Sequence, residues 1–115
     1  MWNVPTANRL LQIPKLYETD PVSIRAKLIH LHFFLADCDW YVAEFNGEDI
    51  FYGFVILNGD LRNAEWGYFS FSELQRIRMN GCVEVDCELE SHWKLRPASQ
   101  VEKISQVYGW NLEIV

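Results

Sequence analysis

Four carboxylates are the residues of this chain whose types and spacing come nearest to catalytic chemistry. Glu84 and Asp86 alternate along one predicted strand, which puts their side chains on one face about 7 Å apart. Glu44 and Glu65 fall on neighbouring predicted strands, from which they can converge with that pair. Clustered carboxylate oxygens are the ligands of Mg²⁺, Mn²⁺ or Ca²⁺. The set would suit a metal-dependent enzyme acting on nucleic acid.

A simpler interpretation of these carboxylates competes with a metal site, and we favour it. Alternate acidic residues keep an exposed strand face hydrated and discourage pairing between sheet edges. No Lys or His stands beside Glu84 and Asp86 in a recognisable catalytic arrangement. We therefore predict no catalytic residue, no metal and no cofactor, and keep the metal-dependent enzyme as the alternative.

The cysteines and histidines do not form a zinc motif. Cys82, Cys87 and His92 are spaced by five and five, whereas structural zinc sites use Cys pairs two to four residues apart. His30 and His32 converge only if their segment is extended, and each is interpreted as a helix-end or core histidine. The odd count of three Cys indicates reduced thiols, which predicts a cytoplasmic protein.

Three consecutive strands are predicted from a two-residue period at residues 38–45, 50–57 and 61–69. Asn46-Gly47 and Asn58-Gly59 separate them, and Asn-Gly favours hairpin turns because both residues tolerate positive φ. The three strands therefore form an antiparallel meander. Gly53 and Gly67 lie inside these strands, where glycine marks a bulge or a close approach of another group.

A fourth strand is predicted from the alternation after residue 82. Val83, Val85, Cys87 and Leu89 point one way, and Glu84, Asp86, Glu88 and Glu90 point the other. We call this the acidic strand. A short final strand is predicted from Trp110, Leu112 and Ile114.

The helices are predicted from end signals and helical spacing. A short helix covers residues 8–12, and Asp20-Pro21 begins an amphipathic helix that carries Ile24, Leu28 and Leu31. Ser70-Phe71-Ser72-Glu73 is a capping box that starts a third helix. A last helix follows Pro97 and ends at Gly109.

Together these patterns predict an α+β fold with one antiparallel sheet of four to five strands and helices mainly on one face. The sheet combines the three-strand meander with the acidic strand. At 115 residues, with 50% hydrophobic and 15% aromatic residues, the chain is expected to form a single domain over residues 1–115.

The chain resembles the domain of unknown function 2958 family over residues 10–89. The resemblance is carried by the following segments: Pro14-Lys15-Leu16-Tyr17, Asp20-Pro21, Lys27, Trp40-Tyr41-Val42-Ala43-Glu44, Glu65 to Leu74, and Val83-Glu84-Val85-Asp86. Val85 and Trp66 depart from the family pattern, which has a basic residue and a smaller aliphatic at those positions. Members are small bacterial proteins of uncharacterised activity, often on mobile elements, so the resemblance implies a context and no catalytic residues.

The function we predict is a small non-enzymatic interaction protein with an acidic surface rimmed by aromatic residues. The candidate binding residues are Trp40, Glu44, Glu65, Trp66, Gly67, Tyr68, Glu84 and Asp86. The expected partner is a protein, since exposed aromatic residues anchor such surfaces.

Charge and hydropathy limit the other classes of partner. A net charge of −6 disfavours direct nucleic-acid binding, and no segment approaches the ~20 apolar residues of a membrane helix. In a variant of the interaction hypothesis the carboxylates imitate nucleic-acid phosphates. A homo-oligomeric structural subunit is a third alternative.

Overall fold

A computed structural model describes residues 3–110 of the chain. Its strands are β1 (Leu28–Ile29), β2 (Leu31–Leu35), β3 (Cys38–Phe45), β4 (Ile50–Ile56), β5 (Glu65–Ser70), β6 (Arg78–Met79), β7 (Val83–Glu84), β8 (Asp86–Cys87) and β9 (Arg96–Pro97). Five of them form one antiparallel sheet in the order β5-β4-β3-β2-β8. β1 pairs with β9 and β6 pairs with β7. The predicted α+β class with a five-stranded antiparallel sheet is confirmed.

The predicted meander is formed by β3, β4 and β5. Asn58 and Gly59, which follow β4, both have positive φ (54° and 68°), as the Asn-Gly signal predicts. β5 begins at Glu65 rather than at residue 61. The Asp60 carboxylate accepts the amides of Arg62 and Asn63 (3.1 and 3.3 Å), which folds residues 61–63 into a 3₁₀ turn.

The prediction of an amphipathic helix after Asp20-Pro21 is wrong. A 3₁₀ turn covers Ile24–Ala26, and β1 and β2 follow it. In β2, Leu31, Phe33 and Leu35 alternate into the core, and strand pairing with β3 over all five residues stabilises the extended form. Tertiary pairing therefore overrides the local helical spacing.

The acidic strand is divided into β7 and β8, which have different partners. β7 pairs with β6, whereas β8 pairs with Phe33 and Phe34 of β2. Val85 lies between them and is buried, as is Cys87, but Val83 is exposed. The alternation therefore predicted burial correctly only at the two central positions.

Among the described residues, α-helices pack on both faces of the sheet, two on one face and one on the other. They are α1 (Ala7–Leu11), α2 (Phe71–Arg76) and α3 (Glu102–Tyr108). Leu10 of α1 and Leu74 of α2 pack with Phe33 and Phe51 on what we call the first face. Ile104 of α3 packs on the second face.

α3 ends at Gly109 in the left-handed conformation, as predicted. Leu112 and Ile114, and with them the predicted final strand, lie outside the described residues. Within residues 3–110 no helix has the length and hydropathy needed to cross a bilayer.

A β-bulge in β3 explains one of the two strand glycines. The register of β3 against β4 shifts between Val42 and Glu44. Gly53 lies opposite Val42, and a Cβ atom there would lie 1.8 Å from the Tyr41 carbonyl oxygen. Only glycine fits this close approach of the two backbones, so the prediction for Gly53 is confirmed.

Candidate functional site

The predicted acidic residues do not converge on one site. Glu65 begins β5 and Asp86 begins β8, and these strands are the two opposite edges of the sheet. They are the first and fifth strands of the sheet, so at about 4.8 Å between neighbouring strands they lie about 19 Å apart. Convergence of these carboxylates was left open from sequence, and the strand order separates Glu65 from Asp86.

Glu44 is 2% exposed and holds a loop in place. Its carboxylate accepts the amides of Tyr17 (2.9 Å) and Thr19 (3.1 Å) and the Thr19 hydroxyl. The buried Lys27 donates from Nζ to the same threonine, at its carbonyl (2.6 Å) and its hydroxyl (2.9 Å). Glu44 is therefore a positioning residue for the loop that carries Tyr17.

Glu84 and Asp86 lie in strands that pair with different partners, β7 with β6 and β8 with β2. Glu84 lies 3.9 Å from Arg78 across the β6–β7 pair. The Asp86 carboxylate accepts two amides at 2.8 Å, those of Asn3 and Cys87. In the part of the chain that the structure describes, no three His, Cys, Asp or Glu side chains are grouped as metal ligands.

Trp40 does not belong to the aromatic rim that the sequence predicted. It is buried in the first-face core, whereas Trp66 packs on the second face. Trp40 is thus a core residue, and the predicted rim keeps Trp66 and Tyr68 only.

Trp66 and five neighbouring aromatic side chains form a continuous surface that we call the aromatic strip. The Tyr52 ring lies 5.9 Å from that of Trp66 and 5.0 Å from that of Tyr68. Trp66 donates from Nε1 to the Tyr108 hydroxyl (3.0 Å), and Tyr108 stacks on Trp110 at 4.4 Å. The members are Tyr17, Tyr52, Trp66, Tyr68, Tyr108 and Trp110.

The strip is partly exposed, with Tyr17 at 62%, Tyr68 at 55% and Tyr108 at 40%. A hydrogen bond with Tyr17 raises the pKa of Tyr68, which ties the loop to β5. The surface predicted from sequence did not include Tyr17, Tyr52, Tyr108 and Trp110. Only Tyr52 carried a local signal, because its register opposite Tyr68 follows from the hairpin.

The backbone of β5 is open along one side, which we call the β5 edge. Among residues 3–110, β5 pairs only with β4. The Phe71 amide donates to the Asp49 carbonyl (2.8 Å), so Asp49 and Phe71 form a hydrogen-bonded pair in continuation of the β4–β5 register. Since such pairs alternate along the ladder, Gly67 faces β4, and the backbone groups of Trp66 and Tyr68 face outward.

A recess beside Gly67, which we call the Gly67 pocket, lies on the other side of β5 from Trp66. Its volume is about 400 Å³, and its lining includes Val55, Leu57, Asp60 and Glu65. A Cβ atom added at Gly67 would meet no atom within 4 Å. Gly67 therefore leaves open space and makes no close backbone approach, in contrast to Gly53.

The structure also forms a charged cluster that sequence analysis did not predict. His32 Nε2 lies 2.7 Å from Asp39 Oδ1, and its Nδ1 lies 2.7 Å from Glu88 Oε1. Lys103 donates to the second Asp39 oxygen (2.7 Å), and the His32 ring stacks on Tyr41 at 4.4 Å.

This cluster borders a cavity of about 500 Å³ but lacks the features of a nucleophilic site. Both ring nitrogens of His32 are engaged by carboxylates. Burial raises the pKa of the neighbouring Cys87 thiol to about 12, which suppresses the reactive thiolate. Burial also favours protonation of Asp39, but hydrogen bonds from His32 and Lys103 outweigh it and lower the pKa of that carboxyl. We interpret the cluster as a structural ion network.

No protein-family model, curated protein or solved structure matches this chain. The resemblance to the domain of unknown function 2958 family therefore stays a prediction from sequence motifs.

Proposed function

We propose that this protein is a non-enzymatic binding module that takes an extended segment of a protein partner as an added strand along the β5 edge. The observation that carries the proposal is the open backbone of β5 between the aromatic strip and the Gly67 pocket. Strand addition uses these two elements together, since main-chain hydrogen bonds give affinity and flanking pockets select alternate side chains.

The outward backbone groups of Trp66 and Tyr68 supply the hydrogen bonds. Each residue offers one N–H and one carbonyl, so an antiparallel partner strand can form four bonds with them. Each bond contributes about 1 kcal/mol net. Backbone bonds alone give weak binding once the cost of ordering the partner is included, so side-chain contacts are needed as well.

The aromatic strip supplies those contacts. Tyr and Trp are the usual anchors of protein interfaces because they bury large area and lose little conformational entropy. Trp66 and Tyr68 lie on one face of β5, so the alternate side chains of an added strand would pack against them. Glu44 supports this surface indirectly, through the Tyr17 amide.

The other functions considered from sequence lack this support. Metal-dependent catalysis and phosphate imitation both require the carboxylates to act together, yet Glu44 is buried, and Glu65 and Asp86 lie at opposite edges. A protein partner rather than a nucleic acid agrees with the net charge of −6.

Two variants at Tyr68 test the proposal, with peptides selected from a phage-displayed library of random linear peptides as the probe. Tyr68→Val removes the ring and keeps the outward N–H, whereas Tyr68→Pro removes both. Proline is tolerated on an edge strand where the N–H faces solvent, so both variants should fold. Urea unfolding of each variant checks this.

We expect the selected peptides to bind the proline variant about fivefold more weakly than the valine variant, the effect of one lost hydrogen bond. Equal affinity of the two folded variants would show that the β5 backbone is not used. Selection of no peptide by the unmodified protein would also count against the proposal.

A further inference from the structure

We propose that the Gly67 pocket takes a Lys or Arg side chain of the added strand, so that the preferred partner segment is extended and basic at one position. This inference rests on strand addition at the β5 edge and specifies the chemistry of the partner. The occupant is a segment of another protein.

The register of an added strand places one side chain at the pocket. Because Gly67 pairs with β4 through hydrogen bonds, the residue facing it from outside belongs to a non-hydrogen-bonded pair. In such pairs the Cα atoms lie about 4.5 Å apart and the side chains project to the same face. That face is the one where Val55, opposite Glu65, packs against the first-face core.

The lining of the pocket matches a long cationic side chain. Val55 and Leu57 offer apolar surface for an aliphatic stem, and Asp60 and Glu65 offer carboxylates for the charged head. Hydrogen bonding to Asn63 lowers the pKa of Asp60, which keeps that carboxylate ionised at neutral pH. Of the described residues that line the pocket, none is Lys, Arg or His: they are Val55, Leu57, Asn58, Asp60, Asn63, Glu65, Gly67 and Tyr68.

A second copy of this chain fits the β5 edge less well. Two-fold antiparallel pairing centred on Gly67 would place glycine opposite glycine and leave both pockets without a side chain. It would also bring together two molecules with a net charge of −6 each. Both arguments favour a different, basic partner.

The test uses two synthetic peptides of alternating Thr and Val that differ at one central position, Lys in one and norleucine in the other. Affinities are measured by NMR titration of the isotope-labelled full chain at low salt. The Lys peptide should bind about fivefold more tightly, the effect of one exposed ion pair at the favourable end of its range. Glu65→Gln should remove most of that preference.

Two further variants serve as a control and as a second test of the pocket. Glu48→Gln makes the same charge change at an exposed residue outside the Gly67 pocket and should keep the preference for Lys. Gly67→Val fills the pocket and should abolish the difference between the peptides. A preference that survives in Glu65→Gln, or is equally reduced in Glu48→Gln, would overturn the inference.

Failure of this inference can be told apart from failure of strand addition. If both peptides bind equally and both lose affinity in Tyr68→Pro, strand addition holds and the basic preference is wrong. If neither peptide binds, both proposals fail. Sedimentation that shows a dimer dissociated by Tyr68→Pro would identify a second copy as the occupant and overturn the inference.

Discussion

His32 and Asp39 join β2 to β3 through a buried contact, with Nε2 of the imidazole 2.7 Å from Oδ1 of the carboxylate. The two residues lie near the short hairpin at residues 36–37, and Lys103 ties α3 to the same carboxylate. One carboxylate thus connects the sheet with the helix that covers its second face.

The first prediction concerns the acid sensitivity of this contact. The pKa of Asp39 in the folded state is below its ordinary value of 3.8. The stability that Asp39 contributes is therefore present above that value and is lost as the pH falls through it toward the folded-state pKa. Urea unfolding should show that the free energy of unfolding decreases below about pH 5.

Asp39→Ala tests the same contact directly. It should cost about 3 kcal/mol at neutral pH, because His32 and Lys103 lose their shared partner. It should also flatten the acid dependence below pH 5. An unchanged slope would assign the acid sensitivity to other carboxyl groups.

The second prediction compares the two strand glycines. Gly53→Ala should destabilise the protein by more than about 2 kcal/mol, since the new Cβ atom would overlap the Tyr41 carbonyl oxygen. Gly67→Ala, the matched control, should change stability by less than about 1 kcal/mol because its Cβ enters open space. The midpoints of urea unfolding report the stability of both variants. Similar losses would mean that the bulge opposite Gly53 relaxes.

The third prediction concerns Glu44. Glu44→Gln replaces one acceptor oxygen by an N–H₂ group that faces the donors of Tyr17 and Thr19, and should cost about 2 kcal/mol. Amide hydrogen exchange at both residues should accelerate, and peptide binding at the aromatic strip should weaken. Glu48→Gln, at an exposed residue outside the Gly67 pocket, is the control. Unchanged exchange would show that Glu44 does not hold the loop.

The fourth prediction concerns the start of α2. The Ser70 hydroxyl accepts the Glu73 amide (3.2 Å) and donates to Asp49 (2.6 Å). Ser70→Ala should therefore cost about 1 kcal/mol. Ser23 precedes a 3₁₀ turn without capping it through its side chain, so Ser23→Ala should be neutral in the same thermal unfolding experiment.

The parts of the fold that the sequence predicted are those with strong local signals. Asn58-Gly59 formed the turn that follows β4, Ser70 capped α2, and Gly109 ended α3. Asp49 was missed at the α2 cap because it lies twenty-one residues before Ser70 in the sequence and meets it only through the β4–β5 hairpin.

The candidate site was predicted less completely, because it depends on strand order. Trp66, Gly67 and Tyr68 were identified from one segment, but nothing local shows that β5 is an edge strand or that Trp40 faces the opposite core. The failed helix prediction has a similar cause, since residues 24, 28 and 31 satisfy a helical period whereas Leu31, Phe33 and Leu35 also satisfy a strand period.

The late position of β8 in the sequence has a consequence for biosynthesis. β8 covers Phe33 and Phe34 of β2 only after the chain beyond residue 87 has left the ribosome. Until then a nascent chain exposes two unprotected strand borders, at β2 and at β5, and β2 carries the more apolar sequence. Chaperone capture and co-translational aggregation should therefore be concentrated on β2 in chains stalled before β8, and should decline once β8 emerges.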